Sequence, residues 1–166
     1  MNKKILISSL LLLVTLIVIN YNKYDVKKEY EKLNNKKDYI KVSIPKDNVF
    51  QNINSKELTK KIKETSVIFI GSAKNQASRN SINSLSKAAE NTGIDKIYYI
   101  DFKKIKNKKI IKKHNINQAT LLVFKNGSKK EYINNSNNKM TKKELKKKYE
   151  EAINQVLICN PSGDTC

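Results

Sequence analysis

The stretch Thr65-Ser66-Val67-Ile68-Phe69-Ile70-Gly71-Ser72-Ala73-Lys74-Asn75-Gln76-Ala77-Ser78-Arg79-Asn80-Ser81-Ile82-Asn83-Ser84-Leu85 decides how this chain folds. Val67–Ile70 is apolar without alternation, which predicts a strand covered on both faces at the centre of a sheet. Gly71 closes the run and a short polar loop follows. From Gln76 onward Ile82, Leu85, Ala88 and Ala89 recur at helical spacing. Thr92-Gly93 ends that helix, glycine being suited to a left-handed C-terminal position. The helix start can be read in two ways. It is an ordinary N-terminus capped by Asn75 or Ser78, or its free N–H groups and positive dipole end, with Asn75, Gln76, Ser78 and Arg79, bind a peptide or anion.

Working outward, Tyr39–Ile44 alternates with period two and Pro45 closes it, which predicts a strand. Val49–Ile53 reads as a second short extended piece. Asn54 with Glu57 three residues on marks a capped helix start. Beyond the central helix, Lys96–Asp101 reads as a strand and Lys103–Asn115 as a loop with a short helix. Thr120–Phe124 is a further strand, and Asn126-Gly127 is the strongest hairpin signal in the chain. Glu131–Ile133 returns from it, and Thr141–Ile158 is a helix capped by Thr141 with Glu144. Strands and helices in this order predict an α/β fold with a central mixed sheet flanked by helices.

The chain has 166 residues and a net charge of +19. Such a charge suggests a nucleic-acid or anionic-surface partner. However, Arg79 is the sole arginine, and the lysines are spread among asparagines and isoleucines, with no basic stretch interleaved with aromatics. Nucleic acid is therefore not the expected partner.

Met1-Asn2-Lys3-Lys4 followed by apolar Ile5–Ile19 reads as a charged start and a hydrophobic core. Fifteen residues span roughly 22 Å as a helix, against a hydrocarbon core of ~30 Å. No small-x-small cleavage site follows, and Tyr21 and Tyr24 suit an interface. An uncleaved signal-anchor is expected over residues 1–20, with a cleaved signal as the alternative. The expected organisation continues with a charged stalk at 21–44, an α/β domain at 45–158 and a tail at 159–166 bounded by Cys159 and Cys166. The domain is placed outside the cell membrane, a compartment that tolerates disulfides. The two cysteines enclose a turn-rich segment and can form a structural ring, a redox pair or an attachment point. With only His114 besides, they supply no four-ligand zinc set, and no metal or cofactor is expected.

The run Val67–Gly71 with Arg79 after the loop, the strand Ile97–Asp101, and Thr120–Gly127 together resemble the thioredoxin superfamily. Within it the chain looks most like the bacteriocin transport accessory proteins of Gram-positive bacteria. The resemblance covers roughly Val49 to Leu157 and implies a thioredoxin-like fold after the N-terminal anchor helix. It also implies where the chemistry should lie. Arg79 aligned with the basic residue that follows the family's Cys-x-x-Cys pair puts Asn75 and Ser78 in the cysteine positions. The family's cis-proline position falls on Ala119. Neither an amide nor a hydroxyl forms a mixed disulfide, and a cis bond to alanine costs about 2.5–4 kcal/mol.

These departures predict a protein without dithiol oxidoreductase activity. The expected binding residues are Asn75, Gln76, Ser78, Arg79 and Ala119. The expected role is an accessory module for a protein or peptide partner in export. Two alternatives stand beside it: an oxidoreductase using Cys159 and Cys166, and a lysine-rich module held to an anionic wall polymer or lipid. His114 reads as an exposed histidine, and Ser78 with His114 lacks the third group a nucleophile–base pair needs. Asp101 reads as a turn or cap residue. Tyr98 and Tyr99 are expected on opposite faces of their strand.

Overall fold

The computed structural model describes residues 25–45 and 49–157. The expected anchor (1–20) and the cysteine-bounded tail (159–166) lie outside the described residues. Among the described residues no helix is long and apolar enough to cross a membrane.

In chain order the elements are α1 (Val26–Glu31), β1 (Phe50–Asn52), α2 (Ser55–Lys61), β2 (Ser66–Gly71), α3 (Gln76–Thr92) and β3 (Ile97–Asp101). A 3₁₀ turn at Phe102–Lys104 leads to α4 (Lys108–Lys113), β4 (Thr120–Lys125), β5 (Ser128–Asn134) and α5 (Lys142–Leu157). The five strands form one mixed sheet in the order β1-β3-β2-β4-β5. β1, β3 and β2 run parallel, β4 is antiparallel to β2, and β5 is antiparallel to β4. β2 occupies the centre, every residue of it buried, as its unbroken apolar run requires.

Alternation along the strands divides the interior into two layers. Val67, Phe69, Tyr99, Leu121 and Val123 face α1, α3 and α5. Ile68, Ile70, Ile100, Leu122 and Phe124 face the other way, against Leu58 of α2 and Ile110 of α4. Tyr99 thus belongs to the first layer, whereas Tyr98 packs against the second.

Local signals act where they were expected. Asn54 and Glu57 form a reciprocal capping box on α2. Thr141 and Glu144 do the same at the start of α5. Gly93 closes α3 at φ 68°, and Asp101 caps the 3₁₀ turn by accepting from the Lys103 N–H at 2.8 Å. Asn126 and Gly127 both take positive φ, 49° and 74°, the geometry of a two-residue hairpin turn. Pairing therefore begins at once, Lys125 opposite Ser128, and β5 is longer than the Glu131–Ile133 predicted.

Residues 25–44 depart from the stalk expected over 21–44. Val26, Tyr30, Val42 and Ile44 are each at most 2% exposed and join the core layer of α3 and α5. Burying side chains of this size stabilises by about 1.5–3 kcal/mol each, so this segment belongs to the folded unit. Tyr30 meets Tyr99 edge-on, ring centroids 5.9 Å apart.

Tyr39–Ile44 also departs from the predicted strand. Its alternation is real, with Val42 and Ile44 inward, but among the described residues it pairs with no strand. Its backbone is satisfied by side chains instead. Asn34 accepts from the Val42 N–H at 2.9 Å and donates to the Val42 carbonyl at 2.6 Å. Asn83 accepts from the Ser43 N–H at 3.1 Å and donates to the Lys41 carbonyl at 2.8 Å. Gln76 accepts from the Ile40 N–H at 2.9 Å and donates to the Asp38 carbonyl. A carboxamide carries the same donor and acceptor as a peptide group. These three side chains therefore supply the ladder a neighbouring strand would otherwise provide.

Candidate functional site

The loop after β2 and the first turn of α3 hold the residues singled out from the sequence. Asn75 is the N-cap: its backbone is extended and its side chain accepts from the Ser78 N–H at 2.8 Å. Ser78 is fully buried, and its hydroxyl accepts from the Ser72 N–H at 3.0 Å. Both side chains are thus spent on the helix start itself. Gln76 lies one residue on, bound to the 38–40 backbone.

Arg79 is fully buried although it carries a charge. Its Nε donates to the Ile40 carbonyl at 2.6 Å, and Nη1 donates to the Tyr30 and Ala73 carbonyls at 2.8 and 3.1 Å. Nη2 donates to Asn34 Oδ1 at 2.7 Å. The guanidinium carbon lies 5.4 Å from the Tyr39 ring centroid and 5.9 Å from that of Tyr30. Burial lowers its pKa, and the two tyrosines oppose that shift. Its fixed fork serves three backbone carbonyls and an amide, a task one ammonium cannot match.

Gln76, Arg79 and Asn83 follow one another at i, i+3 and i+7, so they share one face of α3. That face carries the 38–43 segment as a strap across the helix start. Sequence analysis named Gln76 and Arg79 as binding residues but missed Asn83, Asn34 and the strap. A signal was present: one arginine among 34 basic residues stands beside two carboxamides on one helical face.

Ala119 lies at the same end of the sheet. Register sets Thr120 opposite Ile70, so Ala119 flanks the C-terminal end of β2, where α3 begins. Among the described residues no peptide bond is cis. Ala119 is fully buried at φ 63°, a left-handed conformation that costs a non-glycine residue roughly 1–2 kcal/mol. Asn135 holds it there, its N–H donating to the Ala119 carbonyl at 3.0 Å while Nδ2 donates to Ser81 Oγ at 3.2 Å. The structure therefore brings Asn75, Gln76, Ser78, Arg79 and Ala119 to one end of the sheet.

His114 was expected to be exposed and is not. It is 7% exposed at the end of α4, edge-on to Phe124 with centroids 5.5 Å apart. Its Nε2 is buried without a hydrogen-bond partner. Burial lowers its pKa, and Lys113 and Lys129 add to the effect. Phe124 belongs to the layer of α2 and α4, whereas α3 covers the opposite face. The sheet thus separates His114 from Ser78, and the two form no nucleophile–base pair.

The end of α5 lies far from this site. Ser84 Oγ donates to the Lys142 carbonyl and Asn91 Nδ2 to Glu150 Oε1, so α3 and α5 run in the same direction. Leu157, with Val156, accordingly lines a cleft with Ser66, Ile94 and Lys96, at the N-terminal ends of β2 and β3. Asn75 is at the other end of a 17-residue helix, about 25 Å long at 1.5 Å per residue. Among the described residues no cluster of histidine, cysteine or acidic side chains could hold a metal ion.

The described residues form a five-stranded mixed sheet covered by helices on both faces. The chain is similar to the solved structure of thioredoxin O2 from Arabidopsis thaliana, at 20% identity and a TM-score of 0.49, over 66% of this chain and 97% of that one. A thioredoxin from Trypanosoma brucei brucei is similar at 16% identity and a TM-score of 0.46, over 69% and 99% of the two chains. The J-Trx1 fragment of ERdj5 is similar at 14% identity and a TM-score of 0.46, over 66% and 51%. No protein-family model and no curated protein matches the chain.

Proposed function

We propose that this protein is a membrane-anchored, extracytoplasmic thioredoxin-fold protein without dithiol chemistry, acting as a binding or accessory module in peptide or bacteriocin export. One observation carries the absence of dithiol chemistry: Asn75 and Ser78 cap and close the helix start at the positions aligned with the cysteine pair. The strap supports the same reading, because Gln76 and Arg79 are already bound to residues 30–40 of the chain itself. What survives at this end of the sheet is a scaffold, consistent with recognition by an outer surface. The export role rests on the resemblance to bacteriocin transport accessory proteins and on the apolar Ile5–Ile19.

The test is a disulfide-reduction assay on the full chain, beside Cys159→Ser and Cys166→Ser. No turnover above the uncatalysed rate in any of the three is expected. Turnover in the parent chain that Cys159→Ser abolishes would overturn the proposal in favour of an oxidoreductase using the terminal pair. Leu157 ends at the pole of the sheet remote from Asn75, which favours the inert outcome.

A further inference from the structure

A cleft of 850 Å³ runs beside the middle of α3, between the strap on one side and the start of α5 on the other. Five lysines converge on it from three separate segments: Lys41 of the strap, Lys87 of α3, and Lys142, Lys143 and Lys146 of α5. Lys146 is paired with Glu150 at 3.3 Å. Lys41, Lys87, Lys142 and Lys143 form no ion pair among the described residues. Two carboxylates share the cleft, Glu31 and Glu90, and Glu31 is already engaged by the Ile44 N–H and Lys27.

This arrangement works against the stability of the free protein. Like charges gathered around one concavity repel. Lys142 and Lys143 also occupy the first turn of α5, the end of a helix where the dipole disfavours cations. An anion would relieve the repulsion and meet the positive end of α5.

We infer that this cleft binds a ligand bearing clustered phosphate groups, such as a short phosphate chain or a phosphodiester polymer. Lysine ammonium groups recognise phosphate as point charges, and the volume exceeds what one phosphate needs. The inference is independent of the non-redox reading, because none of Asn75, Gln76, Ser78, Arg79 or Ala119 lines the cleft.

The experiment is isothermal titration of the full chain with inorganic tripolyphosphate at low and physiological salt. The comparison variants are Lys87→Gln/Lys142→Gln in the cleft and Lys108→Gln/Lys109→Gln on α4. All four lysines are exposed, so both variants keep the fold. Saturable one-to-one binding is expected, weakened by salt and lowered about tenfold in the cleft variant but unchanged in the α4 variant. Equal losses in both variants would reduce the effect to diffuse charge and overturn the inference. Binding to anionic but not neutral vesicles, with no response to tripolyphosphate, would also overturn it, by assigning the lysines to a membrane surface.

Discussion

The guanidinium of Arg79 donates to the main-chain carbonyl of Tyr30 at 2.8 Å, across 49 positions of sequence. That bond joins the segment of α1 to the start of α3. Arg79 also holds Ile40, Ala73 and Asn34, so one side chain ties α1, the strap and the β2–α3 loop together.

Replacing Arg79 should therefore unfasten the N-terminal segment. Hydrogen bonds from a charged donor contribute about 1.5–3 kcal/mol each, and buried carbonyls left without donors add cost. Arg79→Ala should lower the unfolding free energy by about 3 kcal/mol or more, and Arg79→Lys should recover little of it. Urea denaturation gives the loss. Hydrogen exchange should show the Ile40–Ile44 amides losing protection before those of β2. A change below 1 kcal/mol for the lysine variant, by order of magnitude, would refute the clamp.

Gly71 and Tyr30 should prove energetically coupled. A Cβ at Gly71 would stand 2.8 Å from the Tyr30 hydroxyl and 2.8 Å from the Phe69 ring. Both rings are fully buried, so Gly71→Ala should destabilise by about 1–3 kcal/mol. Tyr30→Phe removes one of the two obstructing atoms. The double variant should thus be more stable than the sum of the single changes allows, and strict additivity would argue against this packing.

Ala119 offers a test of backbone strain. Glycine at φ 63° relieves strain but removes a buried methyl group worth about 0.8 kcal/mol, so Ala119→Gly should stay within about 1 kcal/mol of the parent. Proline fixes φ near −65° and cannot take the observed conformation. Ala119→Pro should cost about 2–3 kcal/mol, measured by thermal or urea unfolding. A neutral proline variant would mean that the turn accommodates a negative φ after all.

His114 should make stability pH-dependent. Its folded pKa lies below its ordinary value of 6.5, so the unfolded chain binds the proton more readily. Stability from this residue is held in full above pH 6.5 and is lost as pH falls through that value toward the folded pKa. Urea midpoints between pH 8 and pH 5, on the order of routine buffer steps, should decline in the parent and flatten in His114→Gln. An unchanged slope in the variant would assign the dependence to other groups.

Much of the fold could be read directly from the sequence because its signals are local. The apolar run of β2, the Asn54–Glu57 and Thr141–Glu144 boxes, Gly93 and Asn126-Gly127 each act within a few residues. The N-terminal segment was misread because its partners are distant. The alternation of Tyr39–Ile44 indicates one buried edge but not whether a strand or a helix face supplies the partner. Charges at Lys27, Lys28, Lys36 and Lys37 also masked the burial of Val26 and Tyr30. His114 was misjudged for a similar reason: its lysine neighbours point to water, while Phe124 covers its ring. At the site, the absence of cysteine is plain from the positions of the two in the chain, Cys159 and Cys166. The use made of Asn75 and Ser78 required the loop geometry.

Because Asn34, Gln76 and Asn83 grip main-chain atoms of residues 38–43, an exposed side chain such as that of Asp38 can be exchanged freely. In orthologues, variation should collect along the strap while the carboxamides and the arginine that hold it stay fixed. The strap can then diversify its outer surface toward new partners without loosening its hold on the domain.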